Sequence, residues 1–349
     1  MSKGLRHGVL SSFLVLALGG CAGEGTGHLA APAGLGDTAA APSQPARPTL
    51  TEKAIIAEDG AVLPLRVWQP EGAPRAVILA LHGINDYSNA FAGPGAAWAR
   101  QDIITYAYDQ RGFGRAPQRG RWVGARRLAA DVDVATRALR RRHPGVPLYL
   151  LGESMGGAVA IVAVTGAAGS PPPDVDGVIL SAPAVWGRTT MNVFERVALW
   201  GGDALFPQMT LTGRGLRIVP SDNIEMLRAL GRDPLVIKET RVDTIKGLVD
   251  LMDMALAAAP RLDRPLLLLY GERDEIVPKE PTRLWIENLP YAARTTRRIA
   301  WYSTGYHMLL RDLEAPLVLR DVAEWIADHR GPLPSGADGR ASQVLFAAR

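Results

Sequence analysis

The 349-residue sequence contains one cysteine, Cys21. No disulfide can form within the chain, and no cysteine-based metal site either. Aromatic residues make up only 6% of it. No stripe of interleaved aromatic and basic residues, and no zinc-finger spacing, speaks for nucleic-acid binding. No repeat period runs through the chain. Lysine is scarce, and nearly all the positive charge is arginine, for a formal net charge of +4. Arg141, Arg142 and their neighbours form a basic run. It reads as a solvated helix face rather than as a patch for nucleic acid or anionic lipid.

What is present is apolar content, 47% of residues. That is enough for one large core, and α/β domains of this size often stay single.

The first apolar run is an address. Lys3 and Arg6 precede an apolar stretch from Val9 to Leu18, followed by Gly19 and Gly20. This is the pattern of a secretory signal over residues 1–20, too short to be read first as a membrane span. Leu18-Gly19-Gly20-Cys21 resembles the lipobox of bacterial lipoprotein signal peptides. The resemblance implies cleavage before Cys21, a diacylglyceryl group on Cys21, and membrane attachment in a bacterial cell envelope. Ala22 lacks the Asp associated with inner-membrane retention, so the outer membrane is expected in a diderm. A plain secreted protein with a chance cysteine is the alternative. Cleavage would remove Lys3 and Arg6 and no acids, taking the formal charge from +4 to +2. Residues 21–50 are rich in Ala, Gly, Pro, Ser and Thr and carry no apolar period, so a flexible tether is expected. The stretch 331–349 is similar and is expected to be a disordered tail.

Residues 51–330 read as one domain. Ala54 to Ala57 and Leu63 to Gln69 flank Asp59-Gly60, a hairpin signal. Short apolar runs of buried-strand type follow at 76–81, 103–108, 148–151, 177–180, 266–270 and 298–302. Helical periods separate them at 126–142, 154–164 and 317–326. Strands apolar on both faces, alternating with helices, call for an α/β fold with a mostly parallel sheet covered on both sides. Residues 185–260 interrupt the alternation and look helical, with Ile245, Leu248, Met252 and Ala255 on one face. An insertion of that size after the strand ending near Ser181 is a candidate cap over a site.

Gly152-Glu153-Ser154-Met155-Gly156 matches G-x-S-x-G. It lies between a strand and a helix, the context of a nucleophile elbow. A serine hydroxyl needs a base to take its proton. Of six histidines, His7 and His28 lie in the leader and tether. His143 and His329 end arginine-rich helices and read as caps. His307 sits on the loop after the last strand, where this arrangement puts its base. The acid should follow the preceding strand. Asp274 is the choice there, with Glu272 and Glu275 as rivals. Asp274 would orient His307 and stabilise its protonated form. The oxyanion donors are expected to be the backbone N–H groups of Met155 and Ile84, with His82 and Gly83 supporting the Ile84 loop.

With these residues in place, the chain resembles the monoacylglycerol lipase and lysophospholipase branch of the α/β hydrolases, also called serine aminopeptidase S33-like. The resemblance spans about Leu50 to Arg330. It rests on His82-Gly83, Asp109-Gln110-Arg111-Gly112-Phe113-Gly114, Gly152 to Gly157, Gly271-Glu272-Arg273-Asp274 with Val277-Pro278, and Tyr306-His307. It implies an α/β-hydrolase fold and hydrolysis of an acyl ester, a monoacylglycerol or lysophospholipid, with no cofactor and no metal. Two departures stand out. The leader and tether lie outside the family pattern, and Glu153 stands where His is frequent. Two other readings remain in view: a peptidase removing N-terminal residues, and a non-catalytic surface-binding module on the same scaffold. Dehalogenase or epoxide-hydrolase chemistry uses an Asp nucleophile, and Ser154 argues against it.

Overall fold

The computed structural model describes residues 49–346, apart from 214, 216 and 217. The expected signal peptide, Cys21 and the tether up to residue 48 lie outside the described residues. In chain order the elements are β1 (Thr49–Leu50), β2 (Ala54–Ile56), β3 (Val62–Trp68), β4 (Ala76–Leu81), α1 (Ala92–Ala99), β5 (Ile103–Tyr108), α2 (Ala125–Arg142), β6 (Leu148–Glu153), α3 (Met155–Val164), β7 (Gly177–Ser181), α4 (Val193–Leu205), β8 (Thr210–Thr212), α5 (Ile224–Arg232), β9 (Glu239–Arg241), α6 (Val242–Ala258), β10 (Leu266–Gly271), α7 (Lys279–Glu287), β11 (Arg297–Tyr302), α8 (Ala315–Ala327) and α9 (Ala337–Phe346).

One nine-stranded sheet runs in the order β1-β2-β3-β5-β4-β6-β7-β10-β11. From β5 to β11 the strands are parallel, while β1, β2 and β3 join antiparallel at one edge. The central strands are buried along their whole length. Alternation divides their side chains between two cores. On β4, Val77, Leu79 and Leu81 face the core built with α2, α3 and α6, whereas Ala76, Ile78 and Ala80 face the one built with α1 and α8. α3 is buried at every residue, because it lies under α2 and α6 and against the sheet. This explains why its sequence shows small and apolar residues all round instead of a stripe.

The chain leaves the sheet after β7 and returns at β10. In between it forms α4, α5 and α6 with a small antiparallel pair, β8 and β9. This insertion occupies the stretch expected to form a cap.

Two boundaries differ from expectation. Thr49 and Leu50, read as the end of the tether, pair with Ile56 and Ile55 of β2. The stretch from 331, expected to be a disordered tail, carries α9. Leu333, Ala337 and Ala341 are buried, and Arg340 Nε donates to the Trp301 carbonyl. The Ser335 hydroxyl and backbone N–H both bond Asp321. Small residues dock this segment closely on the domain, and a pattern search for large apolar residues passes over them.

Candidate functional site

In a parallel sheet the strand C-termini open at one edge, and ligands bind there. β4, β6, β10 and β11 deliver Gly83, Ser154, Asp274 and His307 to that edge.

Ser154 joins β6 to α3 with φ 53° and ψ −117°, a conformation that costs an L-residue of order 1–3 kcal/mol. The surroundings over-determine it. The Ser154 N–H donates to Ser181 O at 2.9 Å, and its carbonyl accepts from Gly157 N at 2.9 Å and Ala184 N at 2.9 Å. The glycines of the motif are sterically required. A Cβ on Gly152 would lie 2.3 Å from Gly156 O, and one on Gly156 would lie 2.1 Å from Leu81 O. Met155 begins α3, so its N–H has no intrahelical acceptor and lies at the positive end of the helix.

His307 Nδ1 bonds Asp274 Oδ2 at 2.8 Å. The other oxygen, Oδ1, accepts from the N–H groups of Ile276 at 2.8 Å and Val277 at 2.9 Å. Three hydrogen bonds therefore fix a carboxylate whose side chain is 0% exposed. The rivals are engaged elsewhere. Glu272 accepts from the Trp301 indole and pairs with Lys279, and Glu275 accepts from Val219 N–H. Burial pushes the His307 pKa down, but the Asp274 carboxylate, with Glu153 behind it, outweighs this and raises it; Arg311 opposes the rise. Nδ1 is committed to Asp274, so Nε2 is the nitrogen left for proton transfer.

His82 is fully buried. Its Nε2 accepts from Gln110 N–H at 3.0 Å, so Nδ1 carries the proton and donates to Gly83 O at 2.8 Å. Gln110 Nε2 also donates to His82 O at 2.8 Å. Burial lowers the His82 pKa, so the ring is neutral and ties the 82–84 loop to the turn after β5. His143 closes α2 as its C-cap, its backbone N–H donating to Leu139 O at 2.9 Å, and its ring bonds Tyr106; His329 lies one residue beyond Asp328, the C-cap of α8, and its ring bonds Tyr149.

Gly83 packs directly on the nucleophile loop. The next turn, 84–87, is braced by the insertion between β7 and β10: Ile237 N–H donates to Asn85 O at 2.9 Å, Asn85 Nδ2 to Thr240 at 2.7 Å, and Tyr87 OH to Asp233 at 2.7 Å. The histidine loop is braced likewise. Met308 N–H donates to Pro220 O at 3.0 Å, Asn223 Nδ2 to Arg311 O at 2.9 Å, and Ser221 OH to Asp312 at 2.5 Å.

Sequence reasoning missed the charged cluster beside the site. Arg311 Nη1 donates to Asp86 Oδ2 at 2.8 Å, and Nη2 donates to the Glu153 oxygens at 3.2 and 3.3 Å. Asp86 and Glu153 are buried, and the Arg311 side chain is only 10% exposed. The one available signal was Glu153 itself, a charge inside an otherwise apolar strand end. Gly271, which opens the Gly271-Glu272-Arg273-Asp274 motif, has a steric reason as well. A Cβ there would lie 2.4 Å from the carbonyl oxygens of Gly305 and Tyr306, so its bareness lets the Asp274 and His307 loops meet.

An open cavity of about 610 Å³, lined by Thr49, Leu50, Ala138, Arg141, Arg142 and His143, lies beside β1 and the C-terminal end of α2. His143 precedes the first residue of β6, whereas Ser154 follows its last, so this cavity is remote from the serine.

The chain resembles known monoglyceride lipases in sequence, and a solved one in fold. The chain is 28% identical over 291 residues to the monoglyceride lipase of Rattus norvegicus, covering 79% of this chain and 90% of that protein. It is 27% identical over 295 residues to the monoacylglycerol lipase of Mycolicibacterium smegmatis, covering 80% of this chain and 98% of that one. The crystal structure of a soluble variant of monoglyceride lipase from Saccharomyces cerevisiae superposes with a TM-score of 0.65 at 19% identity, over 86% of this chain and all of that one. The sequence profile of the family described as serine aminopeptidase, S33 matches residues 72–314. That is more than half of the chain, which therefore belongs to the serine aminopeptidase S33 family and carries its α/β-hydrolase fold.

Proposed function

We propose that this carboxylic ester hydrolase acts on single-chain acyl esters, monoacylglycerols or lysophospholipids, through an acyl-enzyme on Ser154. The observation that carries this reading is the Asp274–His307 hydrogen bond at 2.8 Å at the strand edge that also bears the strained Ser154. Ser154 Oγ attacks the ester carbonyl while His307 Nε2 takes its proton. Asp274 orients His307 and stabilises the imidazolium. The N–H groups of Met155 and Ile84 receive the tetrahedral oxyanion. As the C–O bond breaks, His307 returns the proton to the leaving alcohol. A water then repeats the sequence and releases the fatty acid.

The cap supports a lipid substrate. α4 starts from a capping box, with Asn192 and Glu195 each accepting from the other's N–H at 3.0 Å. Leu199 packs inward, while Val193, Phe194, Val197 and Trp200 stand exposed, Phe194 at 78% and Trp200 at 73%. Their spacing puts them on one face of the helix. An apolar face of this kind on a cap suits docking to an acyl-chain surface. The lipobox at Cys21 supports a second attachment to the same surface in a bacterial envelope; loss of incorporated palmitate in Cys21→Ala would mark the site.

The aminopeptidase reading requires a carboxylate for the substrate's amine. Asp86 and Glu153, the buried acids next to the site, are engaged by Arg311. Binding modules on this scaffold usually lose a triad member, whereas all three side-chain types are present here. The test is hydrolysis of monoacylglycerols and of a p-nitrophenyl ester series by the wild-type chain and Ser154→Ala. Activity lost in the variant supports the reading. A folded wild type that leaves every acyl ester intact sinks it.

A further inference from the structure

The two oxyanion donors proposed above belong to separate loops, and something must set the distance between them. Asp86 stands two residues after Ile84, and Glu153 stands two residues before Met155. One guanidinium joins them. Arg311 holds Asp86 at 2.8 Å on Nη1 and Glu153 at 3.2 Å on Nη2. It stands on the loop of His307 and turns back onto it, its own N–H donating to Met308 O at 2.8 Å. The three side chains are 10%, 8% and 2% exposed. A buried ion cluster is poor evidence for stability, because an apolar replacement of equal volume is often as stable or more so. It is good evidence for a fixed geometry, because the guanidinium is a rigid planar fork.

We infer that Arg311 is a positioning residue that sets the spacing of the Ile84 and Met155 donors, and of His307 beside them, by holding Asp86 and Glu153 on the two arms of its guanidinium. The inference rests on the acyl-ester reading of the site. The charges facing His307 are Asp274 from the loop after β10, Glu153 from the end of β6, and Arg311 from its own loop, with Asp86 beyond Arg311. Arg311 thus also screens Glu153 from the imidazole.

The experiment compares wild type, Arg311→Lys and the uncharged triple variant Asp86→Asn, Glu153→Gln, Arg311→Gln. Each is assayed on monoacylglycerol and inhibited with an acyl trifluoromethyl ketone, whose adduct carries the oxyanion. Lysine keeps the charge but not the fork, and the triple variant leaves no buried charge unpaired. In both, kcat falls about 10- to 100-fold, since displacements near 1 Å have that effect. KM stays within about 3-fold, and the ketone Ki rises in step with the loss in kcat/KM. A change in melting temperature alone, with kcat and Ki held, overturns the inference, as does full activity in Arg311→Lys. If neither variant folds, Glu153→Gln carries the same comparison, since it leaves the Arg311–Asp86 pair intact. An inactive wild type would instead sink the acyl-ester reading itself.

Discussion

Gly83 lies against Ser154 so closely that a Cβ on the glycine would stand 3.3 Å from the serine Cβ and 3.9 Å from its Oγ. The loop after β4 therefore meets the nucleophile with nothing between them. Gly83 is not at positive φ, so Gly83→Ala tests space and not backbone strain. The added methyl pushes the Ile84 N–H away from its place. We expect kcat on a p-nitrophenyl ester to fall about 10- to 100-fold while thermal unfolding shifts little. A variant within two-fold of wild type would show that this loop does not shape the oxyanion site.

The Asp274–His307 pair predicts a pH profile with a definite sign. His307 must be neutral to accept a proton, and its pKa is raised above the ordinary 6.5. The kcat/KM of wild type therefore falls as pH drops through a midpoint above 6.5. In Asp274→Asn the carboxylate that outweighs burial is gone. We expect kcat down about 10³- to 10⁴-fold and the midpoint of the residual activity moved to lower pH. The same pair links to stability. Its contribution is fully present below the unfolded-state pKa and is lost as pH rises through the raised folded-state value. The melting temperature advantage of wild type over the variant should shrink along that rise.

Two glycines should respond oppositely to the same substitution. Gly156→Ala drives a methyl to 2.1 Å from the Leu81 carbonyl oxygen, a backbone atom that cannot step aside. Overpacking of this kind costs about 1–3 kcal/mol or more. Gly201, within α4, has nothing among the described residues within 4 Å of where a Cβ would stand. Gly201→Ala should stabilise that helix by about 0.5–1 kcal/mol. Paired thermal melts check both, and a neutral Gly156→Ala would contradict the packing described for the elbow.

The exposed face of α4 should matter only where substrate is aggregated. Phe194→Ser with Trp200→Ser removes two side chains whose burial in lipid is worth about 1.5–3 kcal/mol each. The ratio of rates on micellar monoacylglycerol and on a soluble short-chain ester should fall about 10-fold or more. An unchanged ratio would mean that α4 does not touch the lipid phase.

The carboxyl-terminal helix is part of the domain. Ending the chain after Gly331 removes buried Leu333, Ala337 and Ala341 and the Arg340–Trp301 bond. Calorimetry should show a melting temperature lower by several degrees, at roughly 2–4 °C per kcal/mol for a chain of this size. No change would restore the reading of 331–349 as a loose tail.

Much of the fold was legible because parallel strands buried on both faces leave a dense local mark. β4 and β5 occupy the residues expected, Ala76–Leu81 and Ile103–Tyr108, and β6, β7, β10 and β11 differ by one or two residues at an end. α1 escaped notice, since AGPGAAWA carries two glycines and a proline and owes its helix to docking Trp98 in the core. α7, β8 and β9 were equally silent, being short and dependent on their neighbours. α9 was hidden because its buried contacts come from alanines that a tether would also contain.

The sequence by itself determined the alternation of strands and helices, the strained G-x-S-x-G turn at Ser154, and the loops that end β4, β10 and β11. Those are local properties, set by apolar period, glycine and the order of elements. The tertiary structure alone decided that Asp274, and neither Glu272 nor Glu275, meets His307, and that Arg311 reaches Glu153 and Asp86. Arg311 is separated from them by 158 and 225 residues, a distance closed by the register of the parallel sheet. Which carboxylate finds which cation at the end of that sheet is a matter of loop geometry and burial, to which no spacing along the chain corresponds.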